Sequence, residues 1–193
     1  MLALVIFVVA FLLVHLVLLL SLALPDRGWL ARHAISWSAR RYFRVTEALG
    51  VLTVDASELA AQGPGQAQVV IANHPSLLDA IMLLAAQPGF TIVMKSSIRG
   101  FTPWSVGARA AGFISNQSSS GLIKQACERL AAGDPLLIFP EGTRTRRGRQ
   151  INDFKGGFAL IAKKTGATIR TVVIETTSPY LGKCWPIWRR TMP

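Results

Sequence analysis

Two short apolar runs, VVIA (69–72) and LLIF (136–139), each lead directly into a polar cluster, and this constrains the fold more than anything else in the chain. Runs of four β-favouring residues with no polar alternation are strands buried on both faces, which is how parallel sheets read. The first opens into NHPSLLD (73–79) and the second into PEGTRTRRG (140–148). Polar residues at the carboxyl ends of such strands stand where open α/β sheets bind ligands. The matching contexts predict both clusters at one edge of one sheet.

The rest of the pattern agrees. TIVM (91–94), GFIS (112–115) and TIRTVVIE (168–175) read as further strands, and VLTV (51–54) as a weak one. Helical periodicity covers 75–87, 103–111, 119–132 and 153–164, with Ser118 to Ser120 as N-cap candidates and Gly133 as a stop. Residues 62–68 read as a loop. Alternating strands and helices give an α/β fold, a mostly parallel sheet with flanking helices.

An uncharged apolar segment precedes this domain. Residues 2–24 carry no Asp, Glu, Lys or Arg, and at 1.5 Å per residue they extend over roughly 30 Å, about one hydrocarbon core. No basic residue precedes the run, unlike a signal peptide. We expect a membrane anchor over 1–25, a full transmembrane span, with a re-entrant hairpin or monotopic anchor as rivals. His15 reads as a neutral histidine tolerated there. Arg27, Arg32, Arg40, Arg41 and Arg44 follow the run, so the positive-inside rule puts the C-terminal side in the cytoplasm. An amphipathic basic helix is expected over 26–50. Its stripe is Ala31, Ala34, Ile35, Ala39, Tyr42, Val45 and Leu49, with His33, Arg40 and Arg44 opposite. It would either lie on anionic headgroups or pack on the core with a solvated basic face.

The chain has 193 residues and a formal charge of +11, and all 21 Lys and Arg residues fall at or after Arg27. A basic domain beside an apolar anchor suits an anionic partner such as membrane lipid or the phosphates of a carrier. No helix-turn-helix, zinc-finger or aromatic RNA-binding signature is present, so nucleic acid is not expected. Cys127 and Cys184 lack metal-ligand spacing and read as reduced thiols, consistent with a cytosolic catalytic domain. No metal and no tightly bound cofactor is expected.

His74 and Asp79 form the sharpest chemical pair. Within one helix, five residues would set their side chains about 140° apart. They meet only if His74 lies before the helix, and Pro75 favours that, being suited to the first helical position and forcing its predecessor out of helical geometry. Asp79 early in the helix then orients the ring through one nitrogen, and the other takes a proton from a hydroxyl. Taken alone, the spacing arises easily by chance. His74 would then be a turn residue and Asp79 a carboxylate favoured by the helix dipole.

The two clusters together, NHPSLLD and FPEGTRT (139–145), resemble the glycerolphosphate and lysophospholipid acyltransferase family, and the resemblance runs from about residue 35 to the C-terminus. It implies that His74 is the general base with Asp79 as its partner. It also implies that Glu141, Gly142, Thr143 and Arg144 shape the acceptor site, with Lys95 near the substrate. The implied reaction moves a fatty acyl group from acyl-CoA or acyl carrier protein, a co-substrate rather than a cofactor, to the hydroxyl of a lysophospholipid-like acceptor. It needs no covalent enzyme intermediate. It also implies a bacterial inner-membrane location and an acyltransferase domain over 51–193.

The chain departs from that pattern where members carry an Arg after the Gly-x-x-Phe-Ile block, since AAGFISNQ (110–117) has none. Relatives also tend to continue past its C-terminus. AAGFISN and TSPYLGKCW (177–185) resemble a subset encoded with bacterial aryl polyene or xanthomonadin-type pigment pathways, implying an unusual acceptor or acyl group. Two rival functions are an acyl-ester hydrolase, for which there is no G-x-S-x-G elbow, and a non-catalytic lipid-binding protein on the same fold.

Overall fold

The structure, a computed structural model, describes Val5, Val8, Val9, Leu12 and residues 27–61, 67–96, 103–177 and 181–183. The elements in chain order are α1 (Arg27–Ala48), α2 (Ser57–Ala61), β1 (Val69–Ala72), α3 (Asp79–Ala86), β2 (Thr91–Met94), α4 (Pro103–Ala110), β3 (Ile114–Ser115), α5 (Ser119–Ala131), β4 (Leu136–Ile138), α6 (Gly157–Thr165) and β5 (Ile169–Val172). The strands form one sheet in the order β3-β2-β4-β1-β5. Every pairing is parallel.

The period of two along the strands sorts the core into two layers. Val69, Ile71, Leu136 and Ile138 face α5 and α6, meeting Ala126, Leu130, Ile161 and Ala162. Val70, Ala72, Leu137 and Ile92 face the other side, meeting Leu59, Leu83 and Leu84 from α2 and α3. The central strands β1 and β4 are therefore buried at every position, and helices cover both faces as a parallel sheet requires.

Several boundaries differ from the expectation. Residues 51–54 form no strand. The short helix α2 follows them instead, entered through the Asp55 carboxylate accepting from the Ser57 amide. The helix expected from Pro75 begins four residues later, at Asp79. Local bonding explains the delay. The Ser76 amide donates to the Asp79 carboxylate and the Leu78 amide to Ser76 Oγ, so a turn takes the place of the first helical turn. α5 starts as expected, with Ser118 capping the Gly121 amide, and Gly133 follows it at φ +85°.

α1 packs mainly on α3 and, at its start, on α4. Its packed face takes in most of the expected stripe, with Ala34 and Ile35 partly buried against the core, but it is broader and stops short of the stripe's end. Ala31, Ala39 and Tyr42 are buried, but so are Arg32, Ser36, Phe43 and Thr46, whereas Val45 and Leu49 are exposed. Small polar residues fit this face because Ser36 and Thr46 donate their hydroxyls to the helix's own carbonyls, at Arg32 and Phe43. Arg32 is no surface charge. Its guanidinium reaches the Ala111 carbonyl at 3.1 Å and the Asp134 carboxylate at 2.9 Å, tying α1 to the far end of the sheet domain.

Removing one partner of such a pair strands a buried charge. We expect Asp134→Ala to cost about 3 kcal/mol, the low end for a broken buried pair because Asp134 keeps some solvent contact. Chemical denaturation measures this, and Arg32→Met with Asp134→Leu should recover most of the loss.

The anchor expected over 1–25 lies almost wholly outside the described residues, as does Cys184. Val5, Val8, Val9 and Leu12 are helical. Among the described residues, no helix is long and apolar enough to cross a membrane. Cys127 is a free thiol.

Candidate active site

The two polar clusters meet because β1 and β4 are adjacent, with Ile71 opposite Ile138. The loops leaving these strands are joined by two bonds. The Thr145 amide donates to the His74 carbonyl at 2.7 Å, and the His74 amide donates to Glu141 Oε1 at 2.8 Å. His74 is thus fixed by its backbone before its ring does anything.

The ring is held on two further sides. His74 Nδ1 lies 2.8 Å from Asp79 Oδ2, and the imidazole stacks on Phe139 with centroids 4.3 Å apart. With the carboxylate on Nδ1, that nitrogen carries the proton and Nε2 presents its lone pair. Nε2 has no partner among the described residues. The ring is about one-fifth exposed while Asp79 is completely buried. This is the geometry of an oriented base: a rigid partner behind, an open nitrogen in front.

Burial pushes the Asp79 carboxyl above the usual carboxylate range, while the bonds from His74 and the Ser76 amide pull it down. Its Oδ1 has no hydrogen-bond partner among the described residues. A carboxyl raised in the folded state favours folding below its unfolded value, near pH 4, and loses that contribution as pH rises through the folded value. Asp79→Asn lacks this titration. Its stability relative to the wild type should therefore improve from pH 4 to pH 7 in thermal melts.

Glu141 proves to be a structural hub. Its buried carboxylate accepts from the His74 amide, Thr145 Oγ1 and the Asn152 amide. Asn152 also accepts from the Arg146 amide and donates to the Arg144 carbonyl, closing the Arg-rich loop. Gly142 and Thr143 are exposed beside the hub, and Gly142 takes φ +66°, which glycine adopts without strain. Arg144 Nη1 donates to the carbonyls of Leu181 and Gly182, pinning the C-terminal segment, and the Leu77 amide donates to Leu181 as well. Lys95 is exposed just after β2, at the same sheet edge but beyond β4 from His74.

The amides at the start of the 75–87 region are all engaged within the protein: Ser76 to Asp79, Leu77 to Leu181, Leu78 to Ser76 Oγ and Asp79 to the Ser76 carbonyl. Sequence reasoning did not single out four contributors. Phe139 stacks on the ring, Thr145 and Asn152 serve Glu141, and Asn73 clamps the segment after β5 through paired bonds to Ile174. Asn73, Phe139 and Thr145 were hinted at only by their place inside the two motifs, and Asn152 lies outside both. Among the described residues, no group of three His, Cys, Asp or Glu side chains is arranged to hold a metal ion.

The chain is 32% identical over 114 residues to the 1-acyl-sn-glycerol-3-phosphate acyltransferase of Helicobacter pylori, covering 56% of this chain and 48% of that protein. It is 32% identical over 136 residues to the lyso-ornithine lipid O-acyltransferase of Pseudomonas aeruginosa, covering 64% and 52%. Among solved structures it resembles the 1-acyl-sn-glycerophosphate acyltransferase PlsC of Thermotoga maritima, with TM-score 0.58, 26% identity, and coverage of 80% and 63%. The chain spans between 33% and 52% of the length of the curated relatives it matches. The model of the family described as Acyltransferase matches residues 51–175, a stretch that takes in all five strands and both polar clusters. The chain therefore belongs to the acyltransferase family.

Proposed function

We propose that this protein transfers a fatty acyl group from a thioester donor, acyl-CoA or acyl carrier protein, to the hydroxyl of a lysophospholipid-like acceptor. The observation that carries the reading is the open Nε2 of a histidine oriented by a buried carboxylate. Nε2 takes the acceptor's hydroxyl proton as its oxygen attacks the thioester carbonyl. The tetrahedral intermediate collapses, the carbon–sulfur bond breaks, and the thiolate takes up a proton as it leaves. A thioester is already activated, so alignment and proton removal suffice. Hydrolysis is the weaker reading. Ser76, the hydroxyl next in sequence after His74, follows it by only two residues, and its Oγ accepts a bond from the Leu78 amide.

We infer that the reaction runs at a membrane surface. The uncharged apolar sequence of 2–24, read as an anchor, and the exposed side of α1 support this. Trp29, Leu30, Trp37, Val45 and Leu49 are exposed there beside Arg41, which lies over the Trp37 ring. Tryptophan and arginine on one exposed helix face suit the headgroup level of a bilayer. The acceptor is not assumed to be lysophosphatidic acid. The position after Ile114 and Ser115 holds Asn116, whose side chain caps the Ser96 amide, and one relative is named for a lyso-ornithine lipid. The link to pigment pathways rests on the AAGFISN and TSPYLGKCW wording alone. Lipid mass spectrometry of cells with and without the protein tests the reading. A lysolipid should accumulate and its acylated product disappear, and an unchanged lipid profile would refute it.

A further inference from the structure

The acceptor-site motif contains an arginine, but Arg144 has Nη1 turned to the carbonyls of Leu181 and Gly182. Its Nε and Nη2 make no hydrogen bond to the described residues. Another cation lies over the turn that supports His74. The Lys155 amide donates to the Pro140 carbonyl at 2.9 Å, which fixes the residue beside the Pro140–Gly142 turn. Its side chain crosses Gly142 so closely that a β-carbon there would stand 3.0 Å from Nζ and 3.2 Å from Cε. Glycine at 142 is therefore what lets the lysine lie over this turn. Gly142 directly follows Glu141, whose carboxylate holds the His74 amide.

Nothing described neutralises this ammonium. Both Glu141 oxygens are occupied by Thr145 Oγ1, with the His74 and Asn152 amides as further donors. Asp79 serves His74 and Ser76, and Asp153 pairs with Arg149. Lys155 makes no hydrogen bond through Nζ and no ion pair among the described residues. Lys155 is exposed, so an ammonium held across this glycine without a protein partner is open to a negatively charged group from solution.

We propose that Lys155 receives the anionic group, a phosphate or carboxylate, of the substrate bound at this site. The inference rests on the acyl-transfer reading for what the substrate is, but binding tests it without turnover. The full-length protein in neutral detergent is titrated calorimetrically with 1-oleoylglycerol 3-phosphate, uncharged 1-oleoylglycerol and coenzyme A. Lys155→Gln should weaken one anionic probe roughly tenfold, as loss of a charge-assisted bond predicts, and leave the uncharged lipid unchanged. Lys155→Arg should retain most of the affinity. Gly142→Ala, which pushes the lysine off the turn, should reproduce the loss with Lys155 intact. A loss confined to the lysolipid assigns the contact to the acceptor, and a loss confined to coenzyme A assigns it to the donor. Anionic probes that bind Lys155→Gln as they bind the wild type, or equal weakening of the uncharged lipid, would overturn the proposal. A protein that binds as predicted yet transfers no acyl group would refute the catalytic reading alone.

Discussion

His74→Ala should lower acyl transfer by about 10²–10⁴, the usual worth of a positioned general base. The fold should survive. The ring is partly exposed, and its removal forfeits the stack on Phe139 and one bond to Asp79. The stranded carboxyl has a ready response: burial already biases it toward the neutral form, so it protonates more readily once the imidazole is gone. Loss of activity with a near-normal melting curve is the expected pair of results. His74→Gln should be equally inactive, since an amide holds the site's shape but takes no proton.

Glu141→Ala should be damaging in a different way. It removes the acceptor shared by the His74 amide, the Thr145 hydroxyl and the Asn152 amide. Leaving buried donors unpaired costs about 1–3 kcal/mol each when no water reaches them. We expect a total destabilisation of about 3 kcal/mol, allowing for partial rescue by solvent at His74 and Asn152. Activity should fall with it, because the same carboxylate fixes the His74 backbone. Chemical denaturation and an acyl-transfer assay on the same preparation separate the two effects. Glu141→Gln tests the assignment more finely. It keeps one acceptor oxygen but offers donors to the others' donors, so it should recover only part of the loss.

These two residues also show where sequence reading succeeds and stops. The meeting of His74 and Asp79 was legible because spacing and Pro75 excluded a single continuous helix, and that exclusion holds even though the helix starts four residues later than the proline suggests. The placing of both clusters at one edge of one sheet was legible because both strands are apolar throughout, whereas the direct pairing of those strands was not. The work of Glu141 was not, since its donors come from three separate loop positions that only tertiary folding collects. Arg144 illustrates the same limit: its sequence context suggests an anion, whereas its Nη1 meets two carbonyls 37 and 38 residues further on. Arg32 read as one of several charges flanking an anchor, but its partner Asp134 lies 102 residues away. Periodicity reports which face of a helix is apolar. It does not report that a buried face will accept an arginine and two hydroxyls because each finds a partner.

The most direct measurement follows thiol release from acyl-CoA and acyl-carrier-protein thioesters, with and without a lysolipid acceptor, for the wild type and His74→Ala. The account predicts that release by the wild type requires the acceptor. It also predicts one new ester for each thiol freed, and the loss of both in His74→Ala. Equal release without acceptor and no lipid ester, or a His74→Ala protein as active as the wild type, would contradict it.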